Sequence, residues 1–143
     1  EQMFPGKGDK IFLEEYEDLN SYASNDEMGI FKVLEELRSS VYQEIEGKRQ
    51  KDILKNALDA EISITLTKEK FELLEHLSSE IHKFFISSSC KLVLGKEEKI
   101  QVSKSKFEKC SRCWHRVEGV EAGGHCSRCE DNMNGEGETR SFF

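Results

Sequence analysis

The sequence lacks the features that would assign it to a membrane protein, a secreted protein or a self-contained enzyme. No apolar run approaches the roughly 18 residues of a membrane-spanning helix, and the first residues carry no basic-plus-apolar signal segment. It has no Gly-Lys-Ser/Thr phosphate loop and no Ser/His/Asp or Cys/His set that would indicate a nucleophile. We therefore expect a cytoplasmic module with no membrane contact and no active site of its own.

The length and the charge distribution further limit the kinds of protein to which the chain can belong. The chain has 143 residues, enough for one ordinary domain or two small ones, and its start at Glu1 without a methionine suggests a piece of a longer protein. The net charge of −7 argues against an RNA-binding protein, but the charge is unevenly distributed along the chain. Residues 1–29 hold eight acids and two bases, whereas residues 101–116 hold five bases and one acid. Such a basic strip either contacts phosphate groups or forms a solvated face.

Two periodicities predict the secondary structure. Ser24-Asn25-Asp26-Glu27 is typical of a helix start, and an apolar stripe predicts a helix from there to about Arg49. The stripe consists of Ile30, Val33, Leu34, Leu37, Val41 and Ile45. From Ala60 to Leu66 apolar and polar residues alternate, as in a half-buried strand.

A small α/β unit is expected after this strand. Thr67 can begin a second helix that presents Phe71, Leu74, Leu77 and Ile81 on one face. Short apolar runs then predict strands at Phe84–Ile86, at Leu92–Leu94, and at Ile100 with Val102.

Four cysteines near the end of the sequence form its most specific motif. Cys110 and Cys113 make one Cys-x-x-Cys pair, Cys126 and Cys129 make another, and twelve residues separate the pairs. Two such turns can complete a tetrahedron around one structural Zn²⁺ and leave no open position for catalysis. Two disulfides are the alternative, which the absence of secretory features disfavours. Cys90 is separate and is expected to be a buried free thiol.

The residues around these cysteines resemble a known zinc finger. Lys109 to His115 reads Lys-Cys-Ser-Arg-Cys-Trp-His, the second pair reads Cys-Ser-Arg-Cys, and residues 134–142 read Asn-Gly-Glu-Gly-Glu-Thr-Arg-Ser-Phe. This pattern is similar to the C-terminal finger of bacterial isoleucyl-tRNA synthetases. A similar finger closes the formamidopyrimidine-DNA glycosylases, so the finger alone leaves both families open.

A second stretch favours the synthetases. Leu37 to Val41 reads Leu-Arg-Ser-Ser-Val, Glu46 to Arg49 reads Glu-Gly-Lys-Arg, and Leu58 onward reads Leu-Asp-Ala-Glu-Ile. These resemble the synthetase pattern Leu-Arg-x-x-Val, Glu-x-x-Arg, Leu-Glu-Ala, in the same order. The sequence departs from the family at Leu54-Lys55-Asn56-Ala57, where the family has a glycine turn.

The resemblance implies an α+β architecture in three parts. Residues 1–59 would end an anticodon-binding helical bundle, residues 60–104 would form the small α/β junction unit, and residues 105–143 would form the zinc finger. The parent enzyme would be a monomeric, cytoplasmic, ATP-dependent class I ligase that joins isoleucine to its tRNA. The family's His-Ile-Gly-His and Lys-Met-Ser-Lys-Ser signatures do not occur, so its active site is expected elsewhere in the parent chain.

Within this framework the segment is expected to hold the anticodon end of tRNA. The candidate contact residues are Lys104, Lys106, Lys109, Arg112, Trp114, Arg116, Arg128 and Arg140. Trp114 either packs in the small finger, which is the favoured interpretation, or stacks on an unpaired base. Arg112 and Arg128 either meet phosphate or balance the charge of four thiolates on one Zn²⁺. A structural brace that touches no RNA, and a glycosylase-type DNA-binding finger, are the alternative functions.

Overall fold

The computed structural model describes residues 25–143, so the acidic segment 1–24 and the predicted cap at Ser24 lie outside the described residues. The helices and strands, in chain order, are α1 (Asn25–Gln50), β1 (Ala60–Leu66), α2 (Lys68–Leu74), α3 (Ile81–Phe84), β2 (Ser89–Leu94), β3 (Lys99–Lys104) and α4 (Ser127–Asn134). Single 3-10 turns lie at Ala57–Asp59 and Glu75–Leu77. The predicted α+β class is confirmed. In residues 25–143 no helix is long and apolar enough to cross a membrane.

Helix α1 carries the predicted apolar stripe. Leu34, Leu37, Val41 and Ile45 are each at most 5% exposed. They share one apolar cluster with the strands that follow, and Ile30 packs against the edge of that cluster. Because a single amphipathic helix cannot bury its own stripe, the sheet supplies its partner.

The sheet has three strands in the order β2-β1-β3, with β1 parallel to β2 and antiparallel to β3. The predicted alternation in β1 is confirmed, since its burial alternates along the whole strand and Ile62 and Ile64 face the core. Ile62 lies beside Cys90 on β2 and beside Val102 on β3. The predicted strands around Leu92 and Ile100 are therefore β2 and β3.

The predicted second helix is interrupted. Its residues fold as α2, a 3-10 turn and the short α3, and in the turn the Ser78 N–H donates to the Glu75 carbonyl at 3.0 Å. Serine competes for backbone hydrogen bonds and is a poor helix former, which favours a break beside Ser78. The apolar face survives the break, because Leu74, Leu77 and Ile81 are all buried.

The predicted strand at Phe84–Ile86 is wrong, since Phe84 is the last residue of α3, Phe85 is its C-cap and Ile86 follows the cap. Ile86 has a left-handed φ of 52°, and the Ser87 N–H reaches back to the His82 carbonyl at 3.0 Å. This is the usual geometry of a helix C-terminus. Phe85 is fully buried, so the apolar run marks a core segment whose length alone did not distinguish helix from strand.

The division of the chain at residues 59 and 104 stays a prediction. Within the described residues, the stripe of α1 and the buried face of the sheet belong to one apolar cluster. The finger has its own small cluster, built from the cysteines with Val117 and Val120.

Candidate metal centre and nucleic-acid interface

The four predicted cysteines converge. Their sulfur atoms all lie within 4.8 Å of one another. The Sγ atoms of Cys113 and Cys126 are 3.7 Å apart. A tetrahedron with Zn–S bonds of about 2.3 Å has S···S edges of roughly 3.8 Å, whereas a disulfide needs about 2.05 Å. The arrangement therefore suits one tetrahedral metal ion.

Local hydrogen bonds place the two pairs. The Cys110 N–H donates to the His115 carbonyl at 2.9 Å, and the Trp114 N–H donates to the Cys110 carbonyl at 3.1 Å. This closes the first pair into a tight turn. Cys126 is the N-terminal cap of α4 and Cys129 lies in the first turn of that helix, so the helix start presents both sulfurs on one side.

The electrostatics of the four-cysteine cluster favour a bound cation. Burial would raise the pKa of Cys110, but backbone N–H groups of Cys113, Cys126 and Arg112 lower that pKa to about 6. Burial and the neighbouring sulfurs raise the pKa of Cys129 to about 12. Four thiolates at these distances repel one another, and a divalent ion offsets that repulsion.

The two histidines beside the cysteines have other neighbours. His115 Nδ1 lies 3.3 Å from the Cys113 carbonyl oxygen, and His125 Nδ1 lies 3.4 Å from a carboxylate oxygen of Glu130. In the part of the chain that the structure describes, the group suited to a metal ion consists of the four cysteines.

Cys90 is a buried free thiol, as expected. It is 8% exposed on β2, and burial raises the pKa of its thiol to about 12. At neutral pH it is protonated, which suits a residue of the apolar core rather than a nucleophile.

Trp114 does not pack inside the finger, so the favoured interpretation of this residue is wrong. Its side chain is 58% exposed and its backbone has a φ of 68°. Lys109 Nζ lies 5.6 Å from the centre of its ring. The finger core instead uses Val117 and Val120 beside the cysteines. The exposed ring and the ammonium group together form a surface that can stack on a base and meet a phosphate.

The eight candidate contacts fall into two groups. The first group is exposed and makes no ion pair within residues 25–143, and it comprises Lys104, Lys106, Lys109, Arg112 and Trp114. The second group, Arg116, Arg128 and Arg140, makes ion pairs within the molecule. The four bases of the first group lie along residues 104–112, from the end of β3 into the first knuckle, the Cys-x-x-Cys turn of residues 110–113, where an external anion can reach them.

Arg116 joins the finger to the α/β unit. Its Nε donates to Asp59 Oδ1 at 2.6 Å and its Nη1 donates to the Phe107 carbonyl at 3.0 Å. Asp59 is 3% exposed. Burial raises the pKa of Asp59, but the hydrogen bond and charge of Arg116 outweigh it and hold that pKa below its usual value. Sequence reasoning missed Asp59, and the only signal for it was an acid directly before a buried strand.

A second anchor missed by sequence reasoning holds the segment after α4. The Glu80 carboxylate accepts backbone N–H groups of Ser141 at 2.8 Å, Phe142 at 3.2 Å and Phe143 at 3.0 Å. The ring of Phe143 packs against that of Phe84, 5.6 Å between centroids. Residues 141–143 are thus tied back to α3.

Replacing Glu80 by glutamine is expected to release residues 141–143. The backbone N–H groups of Phe143 and Ser141 lower the pKa of Glu80 from 4.5 to about 2, so this contact stabilises the fold above pH 4.5 and is lost as the pH falls toward 2. We expect faster amide exchange of residues 141–143 in the variant at neutral pH, measured by NMR. Replacing the exposed Glu75 by glutamine is the control, and equal exchange in the two variants would contradict the anchoring role.

Comparison with known proteins finds isoleucine–tRNA ligases among the relatives of this chain. No family model matches the chain. The isoleucine–tRNA ligase of Francisella philomiragia is 35% identical, over 89% of this chain and 16% of that protein. The isoleucine–tRNA ligase of Laribacter hongkongensis is 38% identical, over 77% of this chain and 12% of that protein. That of Francisella tularensis subsp. novicida is 34% identical. The chain thus spans only 12–16% of the length of these relatives.

Proposed function

The chain belongs to the isoleucine–tRNA ligase family, and we propose that it is the C-terminal, tRNA-binding segment of an enzyme that attaches isoleucine to its tRNA. ATP is used by the parent enzyme outside this segment, which has no active site of its own. The parent enzyme works in the cytoplasm as a monomer. The similarity to isoleucine–tRNA ligases over 89% of the chain supports this proposal.

The four cysteines hold one structural Zn²⁺. All-thiolate tetrahedral sites are closed, so the metal supplies folding free energy rather than a reactive position. The sulfur cluster, with separations of at most 4.8 Å, supports this assignment of Cys110, Cys113, Cys126 and Cys129 as ligands. The metal keeps the first knuckle, and the bases on it, in one conformation.

The exposed surface beside the metal binds the anticodon end of tRNA. The observation that carries this proposal is the exposed ring of Trp114 with Lys109 Nζ 5.6 Å from its centre. An unpaired base can stack on such a ring, at about 1–3 kcal/mol per base, while the lysine meets the adjacent phosphate. Lys104, Lys106 and Arg112 extend the positive charge along the same part of the chain.

One observation favours a brace as the second candidate function. Arg116 pairs with Asp59, which ties the finger to the rest of the chain, whereas Arg128 and Arg140 pair with Glu138 inside the finger. In that case the finger positions other parts of the ligase and touches no RNA.

Neutralising Lys104, Lys109 and Arg112 together in the full-length protein separates the two candidates. For an RNA-binding surface we expect weaker binding of isoleucine tRNA and a smaller salt dependence. The log–log slope should fall by roughly 0.7–0.9 for each phosphate that the variant no longer neutralises. The measurement is a binding titration across a salt series with isoleucine tRNA and an unrelated tRNA.

The matched control removes three exposed lysines elsewhere, Lys32, Lys51 and Lys96. The control is expected to keep most of the affinity and the salt slope, because it alters the net charge equally. An unchanged affinity and slope in the finger variant would leave the brace as the function.

A further inference from the structure

A cleft on the finger gathers three arginines from separate segments. It has a volume of about 580 Å³, and its lining includes Arg112 from the first knuckle, Arg128 from α4 and Arg140 from the segment after α4. Three guanidinium groups around one cleft favour an anion with several oxygen atoms.

The cleft already holds the carboxylate of Glu138, and the metal-site residues Cys113 and Cys129 also line it. Glu138 Oε1 accepts Arg140 Nε at 2.9 Å and lies 3.5 Å from Arg128 Nη1, and Glu138 Oε2 lies 3.9 Å from Lys83 Nζ. The Glu138 side chain is only 16% exposed.

The backbone brings this carboxylate into the cleft. The Glu138 N–H donates to Asn132 Oδ1 at 3.0 Å, and Gly137 before it has a φ of 88°, which glycine adopts without strain. The α4 helix and the turn after it thus place the Glu138 side chain next to Arg128 and Arg140.

The positive charges around Glu138 outnumber the single negative charge of its carboxylate. Two guanidinium groups contact the same carboxylate oxygen of Glu138. Arg112 makes no ion pair with any residue in the range 25–143. A phosphodiester carries one negative charge on two free oxygens, as a carboxylate does, so it can take the same donors.

We propose that this cleft binds a backbone phosphate of the tRNA, and that Glu138 is a resident anion which the phosphate displaces from Arg128 and Arg140. The inference rests on the proposed RNA-binding function. Glu138 keeps the arginines ordered and lowers their affinity for anions until RNA arrives.

The test compares Glu138→Gln with Glu136→Gln in the full-length protein. Both variants remove one negative charge from the same segment, but Glu136 is exposed and, within residues 25–143, makes no ion pair. We expect Glu138→Gln to tighten isoleucine tRNA binding roughly three- to tenfold more than Glu136→Gln does, because it frees two guanidinium groups.

Two results would overturn the inference. Equal tightening in both variants would mean that only the general charge matters, and weaker binding in Glu138→Gln would mean that the carboxylate merely positions the arginines. Neutralising Lys104, Lys109 and Arg112 in the same assay tells the two failures apart. If that variant weakens binding while Glu138→Gln matches Glu136→Gln, the proposed function holds and only the phosphate displacement fails.

Discussion

Replacement of Cys129 by serine is expected to abolish metal binding and to unfold residues 105–143. The finger has almost no other core, since among residues 25–143 only Val117 and Val120 pack with the four cysteines. Structural zinc contributes an apparent folding free energy of about 10–16 kcal/mol in isolated zinc-finger peptides at pH 7, so the loss exceeds what two valines can offset. Metal content and limited proteolysis of the purified chain measure this outcome.

Residues 25–104 are expected to stay folded in that variant, because their apolar cluster is separate from the four metal-site cysteines. Cys90→Ser is the matched control, since Cys90 is buried in this other cluster and should leave one metal ion bound. Full metal content and an unchanged proteolysis pattern in Cys129→Ser would contradict the structural role of the site.

Replacement of Asp59 by asparagine is expected to cost about 2–3 kcal/mol of unfolding free energy. Removing one partner of a buried ion pair leaves the other charge uncompensated. Here the Arg116 side chain is 22% exposed, so the cost falls below that of a fully buried pair. The contact also spans two parts of the fold, since the Ser105 N–H donates to the Asp59 carbonyl at 2.8 Å and the Arg116 N–H donates to Ser88 Oγ at 2.6 Å.

Urea unfolding of the metal-loaded chain measures the change, and a cycle with Arg116→Met isolates the coupling between the two side chains. Glu46→Gln is the control, because Glu46 and Arg49 form an exposed pair with side chains 53% and 51% exposed. Such a pair contributes at most about 1 kcal/mol. Strictly additive effects of the Asp59 and Arg116 changes would rule out the proposed connection between the finger and the α/β unit.

Most of the secondary structure and the cysteine cluster followed from local patterns. The stripe of α1 and the alternation of β1 were predictable because burial repeats with the period of a helix or a strand. The cysteine cluster was predictable because each Cys-x-x-Cys turn places two sulfurs together whatever surrounds it. The run at Phe84–Ile86 was not, since a short buried segment looks alike in a helix and in a strand.

The amino-acid sequence by itself determined the α+β class, the helix and strand periods, the four metal-ligating candidates and the resemblance to isoleucyl-tRNA synthetases. Only the tertiary structure decided which charged side chains are paired within the molecule and which are exposed without a partner among residues 25–143. Asp59 and Arg116 are 57 residues apart, and Glu80 and Ser141 are 61 residues apart, so no local pattern links them. The exposure of Trp114 was decided in the same way, because the finger fills its small interior with two valines and the four cysteines and leaves the ring outside.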